Sequence, residues 1–196
     1  MNFHQLTYND HTLFHMLRHF EYVNELAREC LKDRGYSMGV IDENLAIPGS
    51  KFHETFANDI KSLVEQLKLG KAIQILERKK YREIIIDFNQ TEFTNGIGTL
   101  GVCNQNELNA LNASAPKLKM NRGIQLWHAT ISKMPTINQL TLVVKKQSTA
   151  WYLITAFPGL PALPLPQKNM NPIDLELSKQ YWADKVFLEK QIEVNN

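Results

Sequence analysis

A chain of 196 residues, 43% hydrophobic and 21% charged, has the make-up of a globular protein that can bury one good core, or a sheet domain with a helical appendage. A net charge of only +2 excludes a uniformly polybasic or polyacidic chain. No apolar run reaches membrane-spanning length, and Met1 to Asp10 lacks the basic and apolar regions of a secretory signal, so no membrane association and no signal are expected.

In chain order the first half reads as helix. Leu13, Phe14, Leu17, Phe20, Val23 and Leu26 recur at a 3–4 spacing, which predicts one helix over 9–34, with Asp10 or Thr12 near its start and Gly35 at its end. Residues 39–49 read as a loop. A second helix is expected from about Ser50, carrying Phe52, Phe56, Ile60, Leu63, Val64 and Leu67, with Gly70 as a stop and 71–80 as a continuation or a short third helix. At Tyr81 the pattern turns β-branched, and Tyr81 to Phe88 reads as a strand. Gly96 to Cys103 fits a glycine-loosened strand or a loop, without the spacing of a dinucleotide or phosphate loop. Clearer strands follow at 123–132, 139–146 and 150–157, the last two joined as a hairpin through Gln147, Ser148 and Thr149. Pro158, Pro161, Pro164 and Pro166 then forbid regular structure, and an amphipathic helix is expected over 174–190. The predicted fold is α+β: N-terminal helices over 1–78, then over 79–196 a small antiparallel β-sheet of about four strands and a C-terminal helix. The two cysteines, Cys30 and Cys103, show no CxxC spacing and read as reduced, buried thiols of a cytoplasmic-type protein.

Charge is distributed unevenly. From Leu108 to Pro172 there is no Asp or Glu, yet seven basic residues occur: Lys117, Lys119, Arg122, Lys133, Lys145, Lys146 and Lys168. A local imbalance of this kind attracts polyanions. The same window holds one histidine, His128, in an alternating run where Leu126, His128 and Thr130 share a face. RNA can be cleaved without metal because its own 2′-hydroxyl is the nucleophile. The protein must then move protons and neutralise the phosphorane, for which histidine and lysine or arginine are suited. His128, Thr130, Lys145, Lys146, Tyr152 and Thr155 are the candidate catalytic residues. Lys117, Lys119, Arg122 and Lys133 are candidates for phosphate contact, and no cofactor is required.

The run Ile154-Thr155-Ala156-Phe157-Pro158-Gly159 resembles the closing strand motif of the barnase–EndoU–colicin–RelE group of endoribonucleases, which includes many bacterial toxins. The likeness covers about residues 80–160, and Phe157 stands where the group often has tyrosine. The resemblance implies metal-independent cleavage to a 2′,3′-cyclic phosphate, with His128 as general base or acid, Lys145 or Lys146 neutralising phosphate and Thr155 orienting the substrate. Tyr152, or His53 from the helical segment, would take the second proton role. It further implies RNA as partner, an acidic inhibitor (an immunity protein or antitoxin) in the producing cell, and action in the cytoplasm of the maker or of a target cell reached by a signal-free route.

Two other readings come from the residues. The basic window can hold nucleic acid or an acidic partner without cleaving it. Alternatively His11, His15 and His19, at i, i+4 and i+8, can ligate a metal with Glu21, Glu25 or the pair His53-Glu54, as in a metal-dependent hydrolase. The proline-rich segment reads as an extended connector packing its leucines on the sheet.

Overall fold

The computed structural model describes residues 6–20, 25–45, 49–89, 93–121 and 124–191. In chain order the elements are β1 (Leu6–Thr7), α1 (Asp10–Met16), α2 (Glu25–Asp33), α3 (Met38–Leu45), β2 (Lys51–Phe52), α4 (Ile60–Gln66), β3 (Lys71–Glu77), β4 (Arg82–Asp87), β5 (Gly98–Thr99) and β6 (Val102–Asn104). They continue as α5 (Gln105–Asn109), β7 (Lys117–Asn121), β8 (Ile124–Ile131), β9 (Thr136–Ile137), β10 (Gln139–Gln147), β11 (Ala150–Pro158), α6 (Pro172–Trp182) and β12 (Lys185–Lys190). The fold is α+β, and among the described residues no helix is long and apolar enough to cross a membrane. The chain divides into two compact units, each made of two segments: Met1–Thr99 with Thr136–Pro161, and Leu100–Pro135 with Ala162–Asn196. The 78/79 boundary of the sequence reading falls inside the first unit, in the β3–β4 hairpin.

The first unit holds a five-stranded sheet in the order β1-β11-β10-β4-β3, antiparallel except for the β1–β11 pair. Ile84, Ile86, Leu140, Leu142, Val144, Leu153 and Ala156 from its three central strands pack with Met16, Leu17, Leu63 and Leu67 from the helical segments and with Phe52, Phe56 and Phe88. A three-stranded ribbon, β2-β5-β9, borders this core. Its middle strand requires glycine at 98, because a Cβ there would lie 2.3 Å from the Lys51 carbonyl oxygen and 2.8 Å from Pro158.

Four expectations for the first unit are corrected. The single helix over 9–34 is broken: α1 runs into a 3-10 turn at Leu17–His19, and Phe20 is extended and bridges Phe52. Burial of Phe20 against Phe52, ring centroids 5.8 Å apart, outweighs the helical periodicity, and α3 then forms where a loop was expected. The second helix starts at Ile60 rather than Ser50, because Asp59 and Ser62 form a capping box. Asp59→Ala should therefore lower stability by about 1 kcal/mol in a urea titration, the usual cost of a lost N-cap. Residues 71–77 are strand and not helix. Ile73 and Ile75 are β-branched at alternate positions, and β3 takes the free edge of β4.

The predicted β10–β11 hairpin is present: Gln147 pairs with Ala150 across Ser148 and Thr149, and Ser148 takes a positive φ of 55°. A bulge lies opposite Val143 and Val144.

The second unit is a four-stranded sheet, β6-β12-β8-β7, in which β12 runs parallel to β8 and antiparallel to β6. One face packs Cys103, Ala129, Ile131, Val186 and Leu188 with Leu108 of α5. The other packs Leu126 and Phe187 with Trp182 of α6. Asn171 caps α6 and Pro172 occupies its first turn. The proline-rich connector is tied to this helix: Ser178 Oγ donates to the Pro164 carbonyl at 2.6 Å and Trp182 Nε1 donates to the Leu163 carbonyl at 3.0 Å. Leu165 joins the Leu126–Phe187 cluster, whereas Leu160 and Leu163 stay exposed.

The helix expected over 174–190 stops at Trp182. Val186, Phe187 and Leu188 are all buried, and a contiguous apolar run with partners on both faces belongs to a central strand. The expectation of one antiparallel sheet over 79–196 is likewise corrected, since β8 and β10 belong to different sheets.

Candidate functional site

Register places the chemistry of the second unit on one sheet face. Lys117 is opposite His128 and Lys119 opposite Leu126 across β7–β8, while Phe187 is opposite His128 and Glu189 opposite Thr130 across β8–β12. Directly opposed residues point to the same side of a sheet. Lys117, Lys119, His128, Thr130, Phe187 and Glu189 therefore share the face that α6 partly covers.

His128 is only 5% exposed. Its ring stacks on Phe187 at 5.3 Å between centroids, and Phe187 stacks on Trp182 at 5.4 Å. His128 Nδ1–H donates to Glu189 Oε1 at 2.7 Å, and Lys119 Nζ donates to Glu189 Oε2 at 2.5 Å. An ionised carboxylate accepts only, so the hydrogen sits on Nδ1, and in the singly protonated ring the lone pair is on Nε2. Nε2 is buried and has no hydrogen-bond partner among the described residues. Partial burial alone would raise the Glu189 pKa. Hydrogen bonds from Lys119 and His128, together with the Lys119 charge, outweigh it and hold the carboxyl below its ordinary value.

Thr130 is exposed two residues further along β8. Its N–H donates to Ser114 Oγ at 2.9 Å and its carbonyl accepts from the Ser114 N–H. Lys117 and Lys133 are exposed, and Arg122 lies outside the described residues, as does the side chain of Cys30. Cys103 is buried and free, and burial first, with Glu107 adding to it, pushes its thiol up to about 11.

Lys145, Lys146, Tyr152 and Thr155 belong to the first unit. Lys145 and Lys146 are exposed at the end of β10, and Lys145 is in register with Tyr152. The Tyr152 hydroxyl and Thr155 Oγ1 are buried without a hydrogen-bond partner among the described residues. The strands expected over 123–132 and 139–146 do not share a sheet: β8 pairs with β7 and β12, because β9 diverts the intervening chain into the three-stranded ribbon.

The acid-free window does not stay acid-free in space. Glu189 enters beside β8, and Glu83 and Asp87 of β4 pair with Val143 and Gln139 of β10. The second unit has eight basic and six acidic residues and the first fourteen of each, so the excess of +2 belongs to the second unit. Glu189, Phe187 and Trp182 were missed as site residues because they were assigned to one amphipathic helix. The contiguous run Val186-Phe187-Leu188 was the available strand signal.

The three first-helix histidines do not converge. His11 and His15 lie side by side on α1. His19, in the following 3-10 turn, is buried, with Nδ1–H donating to the Ser50 carbonyl at 3.0 Å and Nε2 accepting from Arg18 Nε at 3.1 Å. Burial first and Arg18 next hold its pKa down to about 3. Glu21 and the side chain of Glu25 lie outside the described residues. Among the described residues no three His, Cys, Asp or Glu side chains are grouped to hold a metal ion.

These features define an α+β protein with a carboxylate-anchored histidine in its smaller unit. No family model matches the chain, and no curated protein or solved structure matches it either.

Proposed function

We propose that the protein is a metal-independent endoribonuclease, similar to the bacterial toxin nucleases, whose proton-transfer residue is His128. The observation that supports this reading is the anchored imidazole: Glu189 orients it through Nδ1 and leaves Nε2 without a hydrogen-bond partner among the described residues. A carboxylate in this position fixes the tautomer and stabilises the imidazolium that forms when Nε2 takes a proton. In the proposed reaction Nε2 takes the proton of the RNA 2′-hydroxyl, and the 2′-oxygen attacks the adjacent phosphorus. The ammonium of Lys117, directly opposite on β7, neutralises the phosphorane. The 5′-oxygen leaves as a hydroxyl by taking a proton from solvent water, the His128 imidazolium returns its proton to the resulting hydroxide, and the product is a 2′,3′-cyclic phosphate. Thr130 supplies an exposed hydroxyl on the same face. An acidic inhibitor protein is the partner that such an activity calls for.

The burial of His128 favours a second reading, in which the basic edge of β7 binds RNA or an acidic partner and the His128–Glu189 pair only pins β8 to β12. Incubation of the purified protein with total RNA in EDTA separates the two. Nuclease action predicts cleavage that survives EDTA and falls by about 10²–10⁴-fold in His128→Ala, the range of general acid–base catalysis. Lys117→Ala, an exposed change, should lower the rate without loss of fold. RNA binding without cleavage in the wild type would establish the second reading, and cleavage abolished by EDTA would overturn the first.

A further inference from the structure

The α1 histidines, which the RNA reading leaves unused, form a pair of a particular geometry. His11 and His15 are one helical turn apart and both exposed, and their Nε2 atoms lie 3.0 Å from each other. The rings meet edge to face, with centroids 4.3 Å apart. Two imidazole nitrogens bound to one zinc ion, each about 2.0–2.1 Å from it, are about 2.9–3.4 Å apart for angles between square and tetrahedral. The spacing on α1, that of a hydrogen bond between the two rings, lies within that range, so one ion would take the place of the shared proton.

The backbone beneath the pair is held in place. Asn9 and Thr12 form a reciprocal capping box at the start of α1. Thr12 Oγ1 donates to the Leu153 carbonyl of β11 at 2.8 Å, and Met16 and Leu17 are anchored in the core. The entropy of bringing the two ligands together is thus largely spent in folding.

We propose that His11 and His15 form a chelating surface site for a divalent d-block cation such as zinc, with water completing the coordination sphere. The site belongs to the first unit and does not depend on the RNA reading. It differs from the three-histidine site expected from sequence, because His19 is committed to Ser50 and Arg18.

The test is calorimetric titration of the full chain with Zn²⁺, paired with the histidine ring resonances in NMR. One saturable site per chain is expected, with shifts at His11 and His15 and none at His19. His11→Ala and His15→Ala should each weaken Zn²⁺ by more than the roughly 10–100-fold that loss of an outer-sphere partner costs. Glu65→Gln, an exposed change on α4, should leave it unchanged. Cu²⁺ should bind more tightly than Zn²⁺, as for any open nitrogen site. Circular dichroism of the two alanine variants should match the wild type, since both positions are exposed. Absence of saturable uptake, or uptake unaltered in the double variant His11→Ala/His15→Ala, would overturn the proposal.

Discussion

Replacing Phe56 with alanine is expected to destabilise the first unit by about 3–5 kcal/mol, the cost of deleting a buried aromatic ring. Phe56 is 1% exposed and sits at the centre of an aromatic cluster. Phe88 and Phe93 meet it edge-on at 5.0 and 4.9 Å, and Phe52 stacks at 5.8 Å. Its neighbours are carried by β2, the end of β4 and the loop before β5, so no single element can shift to fill the space. Backbone bonds hold the surrounding turn in place: the Phe56 and Ala57 N–H groups both donate to the His53 carbonyl, and the His53 N–H donates to the Ile97 carbonyl. Urea unfolding followed by fluorescence measures the loss. A change below about 1.5 kcal/mol, the size seen for tolerated volume-conserving swaps, would contradict the packing described for this cluster.

Glu189→Ala is expected to cost about 1.5–3 kcal/mol at neutral pH, the scale of a hydrogen bond to a charged group. The substitution strands the buried Nδ1–H of His128 and removes the partner of Lys119. The pH dependence has a definite sign. The carboxyl is held below its ordinary value of 4.5, so the folded state binds its proton less tightly than the unfolded chain. The stabilisation is therefore present in full above 4.5 and is lost as the pH falls through the depressed folded value. Denaturant titrations of wild type and Glu189→Ala should diverge at neutral pH and converge in acid. An equal gap at every pH would show that the carboxylate contributes through packing alone. In the RNA assay the same variant should slow cleavage, because nothing would then hold the proton on Nδ1.

How much of this was legible beforehand differs from element to element. The strand over 150–157 and its hairpin partner were readable, because two β-branched runs separated by a short polar link, Gln147 to Thr149, are a local signal. His128 was likewise singled out as the imidazole of its strand, and Lys117, Lys119 and Thr130 share its face in the structure. Its carboxylate partner was not readable. Glu189 lies 61 residues away and reaches His128 only because β12 inserts between β6 and β8. The run of basic residues misled for the same reason. A window of chain is not a region of space, and the neighbouring strands bring Glu83, Asp87 and Glu189 beside it.

Sequence alone determined the α+β class, the all-helical periodicity of α1 and α4 and the β-branched character of the central strands, since each depends on residues within a few positions of one another. Tertiary structure decided where helix 9–34 breaks, that 71–77 and 185–190 are strands, and which of the candidate residues share a sheet. Two of these turned on burial against a distant segment, Phe20 against Phe52 and Val186 to Leu188 between two strands, whereas β3 stays exposed and is held by backbone pairing along the adjacent β4. Burial of that kind contributes more than local propensity does, and only the folded chain brings its partners together.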